Sequence, residues 1–109
     1  MKYPRRGEVW LMDLGMAAKV RPCVVVSTVI GDEDRALITI VPHTTSARGT
    51  MWEVATPVSF LKTGAFDAQG LVTVPVARAV RRLGTLNREQ MRSVEESIAR
   101  WLELPLGGG

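Results

Sequence analysis

Short apolar runs separated by glycines, prolines and an acidic turn occupy most of the chain, and a single amphipathic segment closes it. Residues 8–14, Glu-Val-Trp-Leu-Met-Asp-Leu, follow Gly7 and are too short and too bounded for a helix, so they read as a strand. Residues 22–29 begin Pro-Cys-Val-Val-Val. Three β-branched residues in succession predict a strand covered on both faces, and a proline is tolerated at its first position. An acidic turn at 30–35 leads to a third buried strand, 36–42, which delivers His43, Thr44, Thr45 and Ser46 into a loop. Residues 51–55 read as a fourth strand, 57–62 as one helical turn opened by Pro57, and 64–70 as an irregular connection. Residues 71–76 make a fifth strand that Pro75 confines to an edge or a bulge. After Arg78, Arg81 and Arg82 comes a Leu-Gly-Thr-Leu turn or short strand.

The last element is the clearest. Asn87 and Gln90 have the spacing of a capping box, and Met91, Val94, Ile98, Trp101 and Leu102 share one helical stripe. A helix over about 87–103 follows, with the stripe packed in the core and Pro105 and the final glycines as its stop. Strands within about 8–86 and one terminal helix predict a single domain over 1–109. Its class is mainly β with a C-terminal helix, a small curled antiparallel sheet or open barrel.

Composition narrows the function. With 109 residues, 46% hydrophobic and 23% charged, the chain is of ordinary globular make-up. A net charge of +3 and a pI near 9.6 are compatible with a polyanionic partner without requiring one. One cysteine, Cys23, excludes an internal disulfide, and with one histidine it cannot build a zinc site of the usual nitrogen and sulfur ligands. No metal and no cofactor is expected. No apolar run approaches ~18 residues, and the basic N-terminus lacks a signal-peptide core. A cytoplasmic protein with no membrane association is therefore expected.

The candidate chemistry lies at two strand ends. Arg21 enters the second strand and His43 to Ser46 leave the third. Sequential strands tend to pair antiparallel, which brings these groups to one edge. A guanidinium fork beside hydroxyls and an imidazole suits a phosphate. Cleaving RNA through its own 2′-hydroxyl needs only charge stabilisation, a proton acceptor and a proton donor. Each residue also has a plainer reading: Arg21 as a solvated or paired cation, and His43 as an exposed loop histidine. Lys19, Arg48, Arg78, Arg81 and Arg82 extend a possible phosphate track, although the last three also fit a solvated turn. Trp10 and Trp52 are core candidates before they are base-stacking ones.

Arg6-Gly7-Glu8-Val9-Trp10-Leu11, Arg21-Pro22 before the valines, Val41-Pro42-x-Thr44, Arg78 and the segment Leu83-Gly84-Thr85-Leu86 ahead of the helix occur in that order. Together they resemble the MazF/PemK family of toxin endoribonucleases over about residues 6–104. The resemblance implies an SH3-like barrel, also shared by CcdB-like toxins, and a homodimer. It implies metal-independent cleavage of single-stranded RNA to 2′,3′-cyclic phosphate and 5′-hydroxyl ends. It further implies a cognate antitoxin whose disordered tail occupies the RNA groove. The family's catalytic arginine and threonine fall on Arg21 and Thr44, with Lys19, Thr45, Ser46, Arg48 and Arg78 as candidate RNA contacts. Some members carry a second arginine and an aspartate where Thr73 and Pro75 stand, and the 15–20 loop is shorter here. His43 is the candidate acid or base that fills this gap. Two rival readings remain: a non-catalytic, CcdB-like gyrase-binding toxin, loosely echoed by Trp101 and the terminal glycines, or an inactive RNA- or peptide-binding module.

Overall fold

The computed structural model describes residues 3–15 and 20–105. Among them run β1 (Glu8–Asp13), β2 (Val20–Val25), β3 (Leu37–Thr44), β4 (Glu53–Val54), β5 (Ala65–Asp67), β6 (Val72–Pro75), β7 (Ala79–Thr85) and α1 (Arg88–Leu102). Every strand pairing is antiparallel, in the order β4-β5-β3-β2-β1-β7, with β6 alongside β3. This is the expected mainly β sheet with one C-terminal helix.

Successive side chains of a strand point to opposite faces, and β2 uses both. Val24 joins Val9, Val41, Phe66, Met91 and Val94 in one apolar cluster. Its neighbours Cys23 and Val25 join Met12, Ile38 and Ile40 in another. The valine run is thus covered on both sides, as its composition predicts. Burial pushes the Cys23 thiol up to about 12, which leaves it protonated and inert.

α1 closes the first cluster. Asn87 Oδ1 accepts the Gln90 amide at 2.8 Å, and Gln90 Oε1 accepts the Asn87 amide at 2.8 Å, completing the capping box. Met91 and Val94 are buried, as the stripe predicts, but Trp101 and Leu102 are exposed. Trp101 instead meets Trp52 edge to face at 5.2 Å. Ser97, which an apolar pattern passes over, is fully buried and donates to the Trp52 carbonyl. The helix ends on Glu103 in the left-handed conformation (φ 56°), before Pro105 is reached.

Several boundaries differ from expectation. β2 begins at Val20, so Pro22 is its third residue. β3 runs on through His43 and Thr44, which lie in the strand and not in a loop. The fourth strand shrinks to two residues, and 57–62 forms a turn closed by Leu61 N–H to Val58 O, not a helical turn. Residues 64–70 hold β5 and a single 3-10 turn, Ala68–Gly70. The stretch expected to end in a turn or short strand contains seven-residue β7, which pairs with β1. β6 pairs only with β3, in keeping with Pro75.

Candidate active site

β2 and β3 pair through Cys23–Pro42, Val24–Val41 and Val25–Ile40. Continued by two residues, that register would set Pro22 against His43 and Arg21 against Thr44. The ladder stops instead at Cys23–Pro42, while on the other edge of β3 His43 and Thr44 pair with Phe66 and Ala65 of β5. Pro22 stands at the parting and has no amide hydrogen to give a ladder. Gly64 allows β5 to come close: a Cβ there would lie 2.2 Å from the Thr44 carbonyl oxygen and 2.8 Å from His43 Cε1. The β2–β3 ladder therefore ends before Arg21 and Thr44, and β5 holds the end of β3 from its other edge.

A cavity of about 460 Å³ opens where the ladder ends. Leu11, Pro22 and Leu83 give it an apolar floor; Arg21, Lys62 and Arg81 bring three cations to it, and Thr44, Thr45 and Ser46 bring hydroxyls. Arg21 is half-buried, and among the described residues no carboxylate forms an ion pair with it. Thr44 Oγ1 accepts the Ser46 amide at 3.0 Å, so its own hydrogen is free to point elsewhere. His43 also lines the cavity but is only 4% exposed, with its ring edge to face on Phe66 at 4.9 Å. Burial lowers its pKa from 6.5, which keeps the imidazole neutral at pH 7 with one nitrogen as an acceptor. The exposed loop histidine of the plainer reading is thereby corrected.

A second cavity, about 340 Å³, shares Arg21, Thr44 and Ser46 with the first. Its other wall carries Arg48, Gln69, Glu53 and Asp67. Glu53 accepts the Arg48 amide (3.0 and 3.1 Å), the Thr50 amide (2.7 Å) and the Thr50 hydroxyl (3.1 Å). The Arg48 and Thr50 amides hold its carboxyl below the usual range. Asp67 Oδ1 accepts the Gln69 amide at 3.0 Å.

The structure thus brings together Arg21, His43, Thr44, Thr45 and Ser46, with Arg48 in the adjoining cavity. Lys19 lies outside the described residues, as do Gly107, Gly108 and Gly109. Arg78 sits in the 3-10 turn before β7, near Gly15, and lines neither cavity. Arg82 faces Glu8 at 3.8 Å, and Trp10 donates to the same carboxylate. Lys62, which sequence reasoning missed, had no local signal. Arg81 enters because it is the register partner of Leu11, which becomes visible only once β7 is seen beside β1. Among the described residues no group of three or more His, Cys, Asp or Glu gathers to hold a metal ion. Cations, hydroxyl donors and a neutral imidazole around one cleft have the chemistry to stabilise charge on a phosphodiester.

A family model described as PemK-like, MazF-like toxin of type II toxin-antitoxin system matches residues 5–102. The chain belongs to this family. A solved endoribonuclease from a mycobacterial species is 27% identical, covers 97% of each chain and superposes with a TM-score of 0.81. A second mycobacterial endoribonuclease, solved with its cognate antitoxin, is 28% identical over 94% of this chain and 98% of its own, at 0.81. The MazE–MazF complex from Deinococcus radiodurans shares the fold at 19% identity, covering 96% of this chain and all of that one, also at 0.81. This chain is therefore a MazF/PemK-like toxin of a toxin–antitoxin system in family and fold, and the matches lend no support to the gyrase-binding alternative.

Proposed function

We propose that this MazF/PemK-like toxin is an endoribonuclease that cuts single-stranded RNA, without metal, in the cleft between Arg21 and Thr44. The observation that carries the reading is the parting of β2 and β3, which sets a guanidinium and a free hydroxyl donor on one cleft. In this reading the RNA 2′-oxygen attacks the adjacent phosphorus and the bond to the 5′-oxygen breaks. The products are a 2′,3′-cyclic phosphate and a 5′-hydroxyl. Charge builds on the non-bridging oxygens, to which Arg21 and the Thr44 hydroxyl donate. His43, neutral and within the cavity wall, takes the 2′-hydroxyl proton. The leaving 5′-alkoxide is a stronger base than a guanidine, so Arg21 is able to protonate it and recover a proton from water. Thr45 and Ser46 add donors, and Lys62, Arg81 and Arg48 hold the flanking backbone.

A cognate antitoxin is the proposed silencer, since one similar endoribonuclease is solved with its own. A homodimer is proposed on family resemblance. No helix of the described residues is long and apolar enough to cross a membrane, and cytoplasmic RNA is the proposed substrate pool.

The test incubates a long single-stranded RNA in EDTA with wild type, Arg21→Ala and Thr44→Val, and maps product ends. Discrete cuts with cyclic-phosphate ends, reduced on the order of 10²–10³-fold in Arg21→Ala, are expected. Intact RNA with wild type, or cuts that Arg21→Ala leaves unchanged, would overturn the reading.

A further inference from the structure

Arg21, Thr44 and Ser46 form a wall common to both cavities, and the two sides of that wall differ in chemistry. The first cavity holds Lys62, Arg81 and the half-exposed Phe60 ring, without a carboxylate among the described residues. Such a surface suits backbone phosphates and a stacked base of any identity. The second holds amide and carboxylate groups, which suit a base edge. Glu53 is the poorer candidate for that task, because Oε1 already accepts three hydrogen bonds and Oε2 shares the Arg48 amide. Asp67 is available. Its Oδ1 caps the 3-10 turn, while Oδ2 has no hydrogen-bond partner among the described residues. Gln69, two residues on, is exposed, and its side-chain amide likewise has no partner among the described residues.

We infer that the second cavity is a base-reading subsite, in which Asp67 and Gln69 select the nucleotide on one side of the cut. The inference rests on the ribonuclease reading above and adds its specificity. The base selected is one that presents an exocyclic amino group: adenine, cytosine or guanine. The Asp67 oxygen accepts from that amino group, and the Gln69 amide completes the pair as donor or acceptor. Uracil offers the carboxylate only one N–H flanked by two carbonyl acceptors, whose repulsion weakens that bond, so it is disfavoured. The nucleotide on the other side of the cut lies over Phe60, Lys62 and Arg81 and is held without regard to sequence.

The experiment digests a pool of single-stranded RNA with randomised sequence and reads the base frequency at each position around the cuts. Wild type should disfavour uracil at one position adjoining the cut, on the order of tenfold. Asp67→Asn retains an oxygen to cap the Gln69 amide but turns the free oxygen into a donor, so it should shift the preference at that position toward uracil. Gln69→Ala should flatten the preference there. Lys62→Ala and Arg81→Ala should instead lower cutting at all sequences alike and reduce its salt dependence. Cutting by wild type, with the same base frequencies in Asp67→Asn and Gln69→Ala, would overturn this inference alone. No cutting by wild type would remove the ribonuclease reading, and this one with it.

Discussion

Ile38 and Ile40 sit in the first half of β3, beside β6 and with β2 joining at Ile40, and both side chains are buried. His43 and Thr44 end the same strand, but they have no β2 partner and are held only by β5 on the other edge. The first half contributes apolar area to a core cluster; the last two residues contribute an imidazole and a hydroxyl to a cavity. One strand thus supplies rigidity at one end and chemistry at the other. A polar group at a sheet's parting is anchored by the strand behind it and still reaches open space.

The largest effect should come from the anchored end. Ile40→Ala removes a fully buried side chain and should cost about 2–5 kcal/mol in a urea unfolding curve. Thr44→Val should cost under about 1 kcal/mol, because the Ser46 amide it orphans is exposed and finds water. Yet Thr44→Val should cripple RNA cutting. Equal losses of stability in the two variants would show that the end of β3 is as structural as its middle.

Gly64→Ala probes how β5 seats the end of β3. The added methyl overlaps the Thr44 carbonyl, a backbone atom with little room to retreat. A loss of about 1–3 kcal/mol is expected from the forced backbone shift, together with reduced cutting as Thr44 is displaced. A variant that cuts and unfolds like wild type would mean that the β3–β5 approach does not set the site.

Much of this contrast was legible in the sequence, for physical reasons. Val24, Val25 and Val26 announce a doubly covered strand, and Asn87 with Gln90 announces a helix start, because each signal is complete within a few residues. The meeting of Arg21 with residues 43–46 followed from antiparallel neighbours alone. What stayed hidden depends on long-range pairing. His43 and Thr44 read as a loop because their strand partner, Phe66 and Ala65, lies in a stretch with no strand pattern of its own. The full length of β7 was hidden, read as a turn or short strand after the arginines, because Arg81, Arg82 and exposed Val80 break the apolar pattern, although β1 holds it in register. Lys62 and Gln69 sit in turns, where no periodicity reports direction.

A smaller effect belongs to the loop that joins the two cavities. Glu53→Ala deprives the Arg48 and Thr50 amides of their acceptor, at a small cost in stability since water replaces it. Limited proteolysis should then cut within residues 45–52 faster than in wild type. The carboxyl is held low in the folded state, so its contribution is present above the unfolded value near 4.5 and lost as pH falls through the folded one. Stability curves of wild type and Glu53→Ala should therefore converge in acid. Curves that stay parallel would mean that the charge on Glu53 does not hold this loop.

The smallest effect separates the two roles within the last two residues of β3. Burial lowers the His43 pKa, so below about 6.5 the unfolded chain takes up a proton that the folded chain refuses. Stability is then full above that value, falls as pH drops below it, and levels off once the folded form also protonates. The slope for one proton stays below about 1.4 kcal/mol per pH unit. His43→Gln should remove that slope whatever it does to overall stability. If His43 also accepts the 2′-hydroxyl proton, the wild-type cutting rate should decline in acid with a midpoint below 6.5, and His43→Gln should be slower with that limb gone. Loss of the stability slope with an unchanged rate from pH 5 to 9 would make His43 a packing partner of Phe66 and leave Arg21 and Thr44 to do the chemistry.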